Sequence, residues 1–188
     1  MNQSRLVGLI LAKSDSKRLP GKNKMLFKGR PMLTWNIEKC LEIFNDVYVS
    51  SDSEEILELA ERWGAIGIQR GKELCGETPN IPVYQHALKR MGRVDGIVAV
   101  HANNPLIDPN LIRFVKKALE GGASEVMTCH PVEHGEAYKE QGAKIYGSIW
   151  GIKADKLVRY KDPYKPSPDI LCVDKSIEVE TIKDLKCL

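Results

Sequence analysis

Seven basic residues stand between positions 13 and 30: Lys13, Lys17, Arg18, Lys22, Lys24, Lys28 and Arg30, with Asp15 the only acid among them. That window carries +6 in a chain whose net charge is +3, so the rest of the chain is slightly acidic. Charges crowded in this way repel one another unless they are solvated or meet an anion. A polyphosphate is the economical partner, because several lysines and backbone N–H groups share its charge. A solvated basic loop is the plain alternative. Near the other end, Glu178 and Glu180 alternate about Val179. On an extended segment both carboxylates face one side, as a pair of working groups or as an ordinary wet face. His101 closes an apolar run and reads either as a hydrogen-bonded core residue or as a substrate contact. His130-Pro131-Val132-Glu133-His134 spells H-x-x-E-H, a zinc-peptidase pattern that needs a helix. Pro131 and Gly135 oppose a helix there, so a surface turn is expected.

The elements that must position these groups alternate in type. Leu6 to Ala12 is almost wholly apolar, which suits a strand covered on both faces of a parallel sheet. Pro31 opens a helical pattern through Leu33, Ile37, Cys40, Leu41 and Phe44. Asp46 to Ser50 reads as a strand. Asp52 with Glu55 has capping-box spacing for a helix to Trp63, with Gly64 as its stop. Ala65 to Gln69 reads as a strand, Val83 to Met91 as a helix, and Asp95 to His101 as a strand. A helix from Pro109 to Leu119 follows, with Asp108 placed to cap it. Glu125 to Cys129, Ser148 to Ile152 and Ile177 to Glu180 add strands, and a short helix follows Thr181. The proline-bearing stretch from Tyr160 to Asp169 reads as irregular. This order predicts an α/β fold with a doubly wound, mainly parallel open sheet. Ligands of such sheets bind beyond the carboxyl ends of strands, which selects the Lys13–Asn23 loop and the loop after His101.

The chain has 188 residues, 43% hydrophobic and 28% charged. One domain spanning 1–188 is expected. No apolar run approaches the roughly 20 residues of a membrane helix, and no cationic leader with a cleavage site opens the sequence. Five cysteines, with no C-x-x-C, argue against a disulfide framework or zinc ribbon and for a reducing cytoplasm. They are expected as small core residues, and Tyr138, Tyr146 and Trp150 mainly as packing residues. Nucleic-acid binding through the basic loop is disfavoured, since Phe27 is its lone aromatic and the overall charge is mild.

Neither G-x-x-x-x-G-K-[ST] nor the dinucleotide G-x-G-x-x-G occurs. A basic loop on an α/β sheet without either points to nucleotidyltransferases. Leu11-Ala12-Lys13-Ser14-Asp15-Ser16-Lys17-Arg18-Leu19-Pro20-Gly21-Lys22-Asn23 closely resembles the signature loop of the CMP-sugar synthetases, the acylneuraminate and 3-deoxy-manno-octulosonate cytidylyltransferases. Val49 to Ile56, Arg70 to Leu74 with Glu77-Thr78, Pro105-Leu106, and Ser176 to Thr181 with Asp184-Leu185 resemble later segments of that family, in the family's order.

The resemblance implies a nucleotide-diphospho-sugar transferase-like fold. It also implies a reaction in which a sugar-acid hydroxyl attacks the α-phosphate of CTP, releasing pyrophosphate. Carried over position by position, Lys13, Lys17 and Lys22 take catalytic places. Ala12, Ser14, Ser16, Lys17, Lys22, Asn23 and Arg70 take nucleotide-binding places, and His101, Asn103 and Asn104 acceptor-binding ones. Glu178 and Glu180 stand where the family usually has two metal-binding Asp, for Mg²⁺ with Mn²⁺ as the alternative ion. The implied partners are CTP and a small acidic acceptor, with neither nucleic acid nor membrane, in a homodimer. The chain departs from the family pattern at Lys13 for Arg, His101 for Gln, Asn103 for Asp, and Glu178 and Glu180 for Asp. A phosphonate or other non-sugar acid as acceptor, or a nucleotide-binding homologue with impaired catalysis, are the alternatives these departures raise.

Overall fold

The computed structural model describes residues 4–14, 16, 18–76, 80–130, 146–161 and 166–187. The opening apolar run forms β1 (Leu6–Leu11). After the basic loop comes a hairpin of β2 (Leu26–Phe27) and β3 (Arg30–Pro31). There follow α1 (Met32–Leu41), β4 (Val47–Ser51), α2 (Glu54–Arg62), β5 (Ile66–Gln69), α3 (Asn80–Arg90) and β6 (Gly96–His101). The rest comprises α4 (Pro109–Glu120), β7 (Glu125–Cys129), β8 (Tyr146–Lys153), α5 (Ala154–Leu157), β9 (Ile170–Val173) and α6 (Ile182–Cys187).

Seven strands form one open sheet in the order β5-β4-β1-β6-β8-β7-β9. β5, β4, β1 and β6 run parallel, β8 runs against both its neighbours, and β9 is parallel to β7. The composition of β1 follows from its place. Leu6 and Ile10 pack into one cluster with Leu33, Ile37, Ile56 and Ile112 from α1, α2 and α4. Val7 and Leu9 pack into the opposite cluster with Ile81, Tyr84 and Leu88 of α3 and Leu157 of α5. With helices on both faces, a strand here has no wet side for a polar residue. Gly151 permits a close approach on β8: a Cβ there would lie 2.4 Å from Val115 Cγ1 of α4. Among the described residues no helix is long and apolar enough to cross a membrane.

The doubly wound, mainly parallel sheet is as expected, and four local expectations are corrected. Ser53, not Asp52, caps α2, accepting from the Ile56 N–H. Ile177 to Glu180 is extended but forms no strand, because its neighbour is the loop after β6; one rung joins the Val179 N–H to the Asn103 carbonyl at 2.7 Å. The strand of that region is β9, whose Leu171 and Val173 are exposed at the sheet edge, and α5 is an additional single turn. Cys40 is a core residue, whereas Cys75, Cys129 and Cys172 are half-buried.

The turn into β7 depends on a carboxylate. Asp169 accepts from the Ser124 hydroxyl at 2.8 Å and from the Ser124 and Glu125 N–H groups. The Ser124 donors foremost, then the Glu125 N–H, bring its pKa from 3.8 down to about 2. A carboxyl lowered on folding adds stability that is complete above its unfolded value and is lost as pH falls through its folded one. Asp169→Asn is therefore expected to flatten the fall in urea midpoint between pH 3.8 and about 2. An unchanged acid slope would show that this cap does not govern it.

Candidate active site

The carboxyl ends of β1, β4, β5 and β6 deliver Lys13, Asp52, Arg70 and His101 to one end of the sheet. The antiparallel course of β8 brings its first residues, and with them Ser148, to the same end. A cleft of about 220 Å³ opens there. Eight of the residues singled out from sequence line it: Lys13, Lys22, Asn23, Arg70, His101, Asn103, Glu178 and Glu180.

The basic loop is shaped by its own hydrogen bonds. The Ser14 N–H donates to Asp52 at 3.0 Å and the Ser14 hydroxyl donates to the same carboxylate. Arg70 lies 3.6 Å from Asp52 Oδ1, the oxygen that also accepts from the Ser14 N–H. Burial pushes the Asp52 carboxyl up, and the Ser14 donors with Arg70 outweigh it, holding it below its ordinary value. Asp52 thus ties the start of the loop to β4 and to Arg70 rather than capping α2. Asn23 donates its amide to the Lys13 carbonyl at 2.9 Å, drawing the far end of the loop back to its start. The buried Asn23 Oδ1 and Arg70 Nε have no hydrogen-bond partner among the described residues. Buried polar atoms left unpaired are costly, so both fit a wall that a ligand completes.

Other singled-out residues stand behind that wall. Ala12 is fully buried and continues the β1–β4 ladder through the Ser50 carbonyl. The Ser16 hydroxyl accepts from the Leu19 N–H within the loop, and Ser14 is engaged by Asp52. Asn104 is fully buried and donates to the hydroxyls of Ser148 and Ser176, so its side chain supports the loop and does not line the cleft. Lys17 lies outside the described residues, as do Glu77, Thr78, Tyr138 and the Glu133-His134 end of H-x-x-E-H. Trp150 is buried against Tyr84, and its Nε1–H donates to Glu125. Asp108 caps α4, accepting from the Asn110 N–H at 2.8 Å.

The two glutamates do face one side, with Val179 turned the other way into a small cluster with Leu19 and Met32. Their partners differ. Glu178 Oε1 lies 2.6 Å from His101 Nδ1, accepts from the Ser148 hydroxyl at 3.1 Å and is 3.9 Å from His130 Nε2. Burial raises the Glu178 carboxyl, but these neighbours, His101 foremost, bring it to about 2. Glu180 Oε1 accepts from Asn103 at 2.8 Å, while Oε2 meets Lys22 at 3.2 Å and Arg18 at 2.9 Å. Among the described residues no three His, Cys, Asp or Glu side chains are grouped to hold a metal ion. A hard cation of the Mg²⁺ type is satisfied by one or two carboxylates completed by substrate phosphates and water. Glu180 fits that demand, because its cationic partners are phosphate-seeking groups that an incoming polyphosphate would draw away. Glu178 does not, being engaged by His101 and Ser148. Sequence reasoning missed Asp52 and Ser148, and likewise Asn36, whose amide donates to the carbonyls of His101 and Asn104 at 2.8 Å each.

Residues 7–149 match the model of the cytidylyltransferase family. The chain belongs to that family. It is 33% identical over 113 residues to the pseudaminic acid cytidylyltransferase of Campylobacter jejuni, covering 56% of this chain and 49% of that protein. It is 32% identical over 127 residues to the mitochondrial 3-deoxy-manno-octulosonate cytidylyltransferase of Arabidopsis thaliana, covering 63% and 41%. The matches thus span about half the length of these curated relatives. The structure of CMP:2-keto-3-deoxy-manno-octonic acid synthetase complexed with CTP superposes with a TM-score of 0.79 over 98% of this chain and 96% of that one, at 16% identity. The two share one fold.

Proposed function

We propose that this cytidylyltransferase activates a sugar acid, joining CMP to an acceptor hydroxyl and releasing pyrophosphate from CTP. The observation that carries the reading is the cleft itself, where Lys13, Lys22 and Arg70 converge with the unpartnered Asn23 Oδ1 and Arg70 Nε. Phosphoryl transfer is mostly positioning and charge neutralisation. Lys13 and Lys22 would meet the phosphates, and Asn23 and Arg70 the nucleoside. Asn103 and His101 form the wall on the acceptor side. Sugar acids are the acceptors in the names of the relatives, and the reading extends that class to this chain. Mg²⁺, when bound at Glu180, would neutralise phosphate charge. The same reading includes a cytoplasmic homodimer, checked by light scattering of the purified chain.

A ligand that binds only the native state raises the melting temperature by mass action. CTP and CDP are expected to stabilise the protein clearly more than ATP, GTP or UTP in a thermal-shift series. Equal shifts from all nucleotides would remove the cytidylyl assignment. Pyrophosphate release from CTP with a panel of sugar acids then tests the acceptor class.

A further inference from the structure

We propose that His101, oriented by Glu178, is the general base that takes the proton from the acceptor hydroxyl. The proposal rests on the cytidylyl-transfer reading above and adds to it a group that moves the proton. His101 is the last residue of β6 and stands in register with Leu11, next to the start of the phosphate loop. Its backbone is clamped by Asn36 at 2.8 Å and its ring by Glu178 at 2.6 Å. An ionised carboxylate only accepts hydrogen bonds, so the neutral ring carries its proton on Nδ1 and leaves a lone pair on Nε2. The ring borders the cleft, and Nε2 has no partner among the described residues. The charged and titratable groups facing the pair are Glu180 on the same segment, His130 after β7, Lys13 and Lys22 of the loop, Arg70 after β5 and Tyr84 on α3.

The step balances without another reactant. Nε2 accepts the hydroxyl proton as the hydroxyl oxygen bonds to the α-phosphorus. The bond from that phosphorus to the bridging oxygen breaks, and pyrophosphate leaves with the electron pair. The imidazolium is held beside the Glu178 carboxylate until it returns its proton to water. Glu178 and Ser148 are positioning residues in this scheme.

The test uses the full chain, with His101→Gln and Glu178→Gln as variants. Imidazole nitrogen NMR of the ¹⁵N-labelled protein without substrate, assigned by comparison with His101→Gln, is expected to show His101 as the Nδ1–H tautomer. Glu178→Gln should abolish that preference. Pyrophosphate release with CTP, Mg²⁺ and each of pseudaminate, an N-acylneuraminate and 3-deoxy-manno-octulosonate gives the second arm. There, His101→Gln is expected to lower kcat by about 100-fold or more and to erase the acid limb of its pH profile, while the thermal shift with CTP persists. Glu178→Gln should displace that limb, which a merely structural carboxylate would not do. An Nε2–H tautomer in the parent, or a His101→Gln profile parallel to the parent's and within threefold of it, would overturn the proposal. If the parent releases no pyrophosphate with any acid and shows no CTP shift, the cytidylyl reading fails, and the tautomer measurement still decides the His101–Glu178 pair.

Discussion

Lys22→Ala is expected to lower kcat/KM for CTP by about 100-fold or more, roughly the 3 kcal/mol that one preorganised charge gives a transferring phosphoryl group. Lys22 opens the short 3-10 turn at 22–24 and its side chain is only 11% exposed, with Nζ 3.2 Å from Glu180. That ammonium cannot stray far from the cleft, so little of its charge is lost to water. The fold should tolerate its removal. Glu180 keeps Arg18 and Asn103 as partners, so its carboxylate is not left buried and unpaired. Steady-state pyrophosphate release and melting temperature, measured on one preparation, separate the two effects. Parental kinetics in Lys22→Ala would take the basic loop out of the active site.

The elements that build this cleft were legible in sequence where burial dictates composition. β1 and β6 lie in the middle of the sheet with helices on both faces, and their apolar runs show it. β9 was not legible, because an edge strand paired on one side needs only four residues, half of them exposed. Ile177 to Glu180 has the alternation of a strand, and its side chains do alternate, but the segment runs beside a loop that offers only one backbone rung. Asp52 with Glu55 has the spacing of a capping box, yet Ser53 is equally able to cap, which leaves the Asp52 carboxylate to Ser14 and Arg70. The pairing of His101 with Glu178 spans 77 positions, and no local pattern encodes it. Residue types show which groups can do chemistry. Which carboxylate meets an imidazole and which meets an ammonium is decided by the packing of the closing segment against the loop after β6.

That distinction separates the two glutamates and yields the second large effect. Glu180→Gln is expected to raise the midpoint of the Mg²⁺ requirement by about tenfold or more, the scale on which altered ligand environments weaken metal sites, while CTP binding without metal changes by less than about twofold. Gln retains a carbonyl for Asn103 but removes the charge now shared by Lys22 and Arg18. With Asn103 neutral and Glu178 engaged by His101, no other carboxylate borders the cleft among the described residues. Mg²⁺ needs charged oxygen ligands beside the substrate phosphates, so the loss falls on the metal more than on the nucleotide. Two controls sharpen the outcome. Asp108→Asn keeps a good cap for α4 and should leave the Mg²⁺ midpoint unchanged. Glu178→Gln should move the pH profile and not the metal titration. Mn²⁺ bound in the presence of CTP, followed by electron paramagnetic resonance, reads the site without turnover. Should Glu180→Gln titrate like the parent while Asp108→Asn does not, the ion belongs to the loop after His101, and Glu180 acts only as the anion that holds Lys22 and Arg18 until CTP arrives.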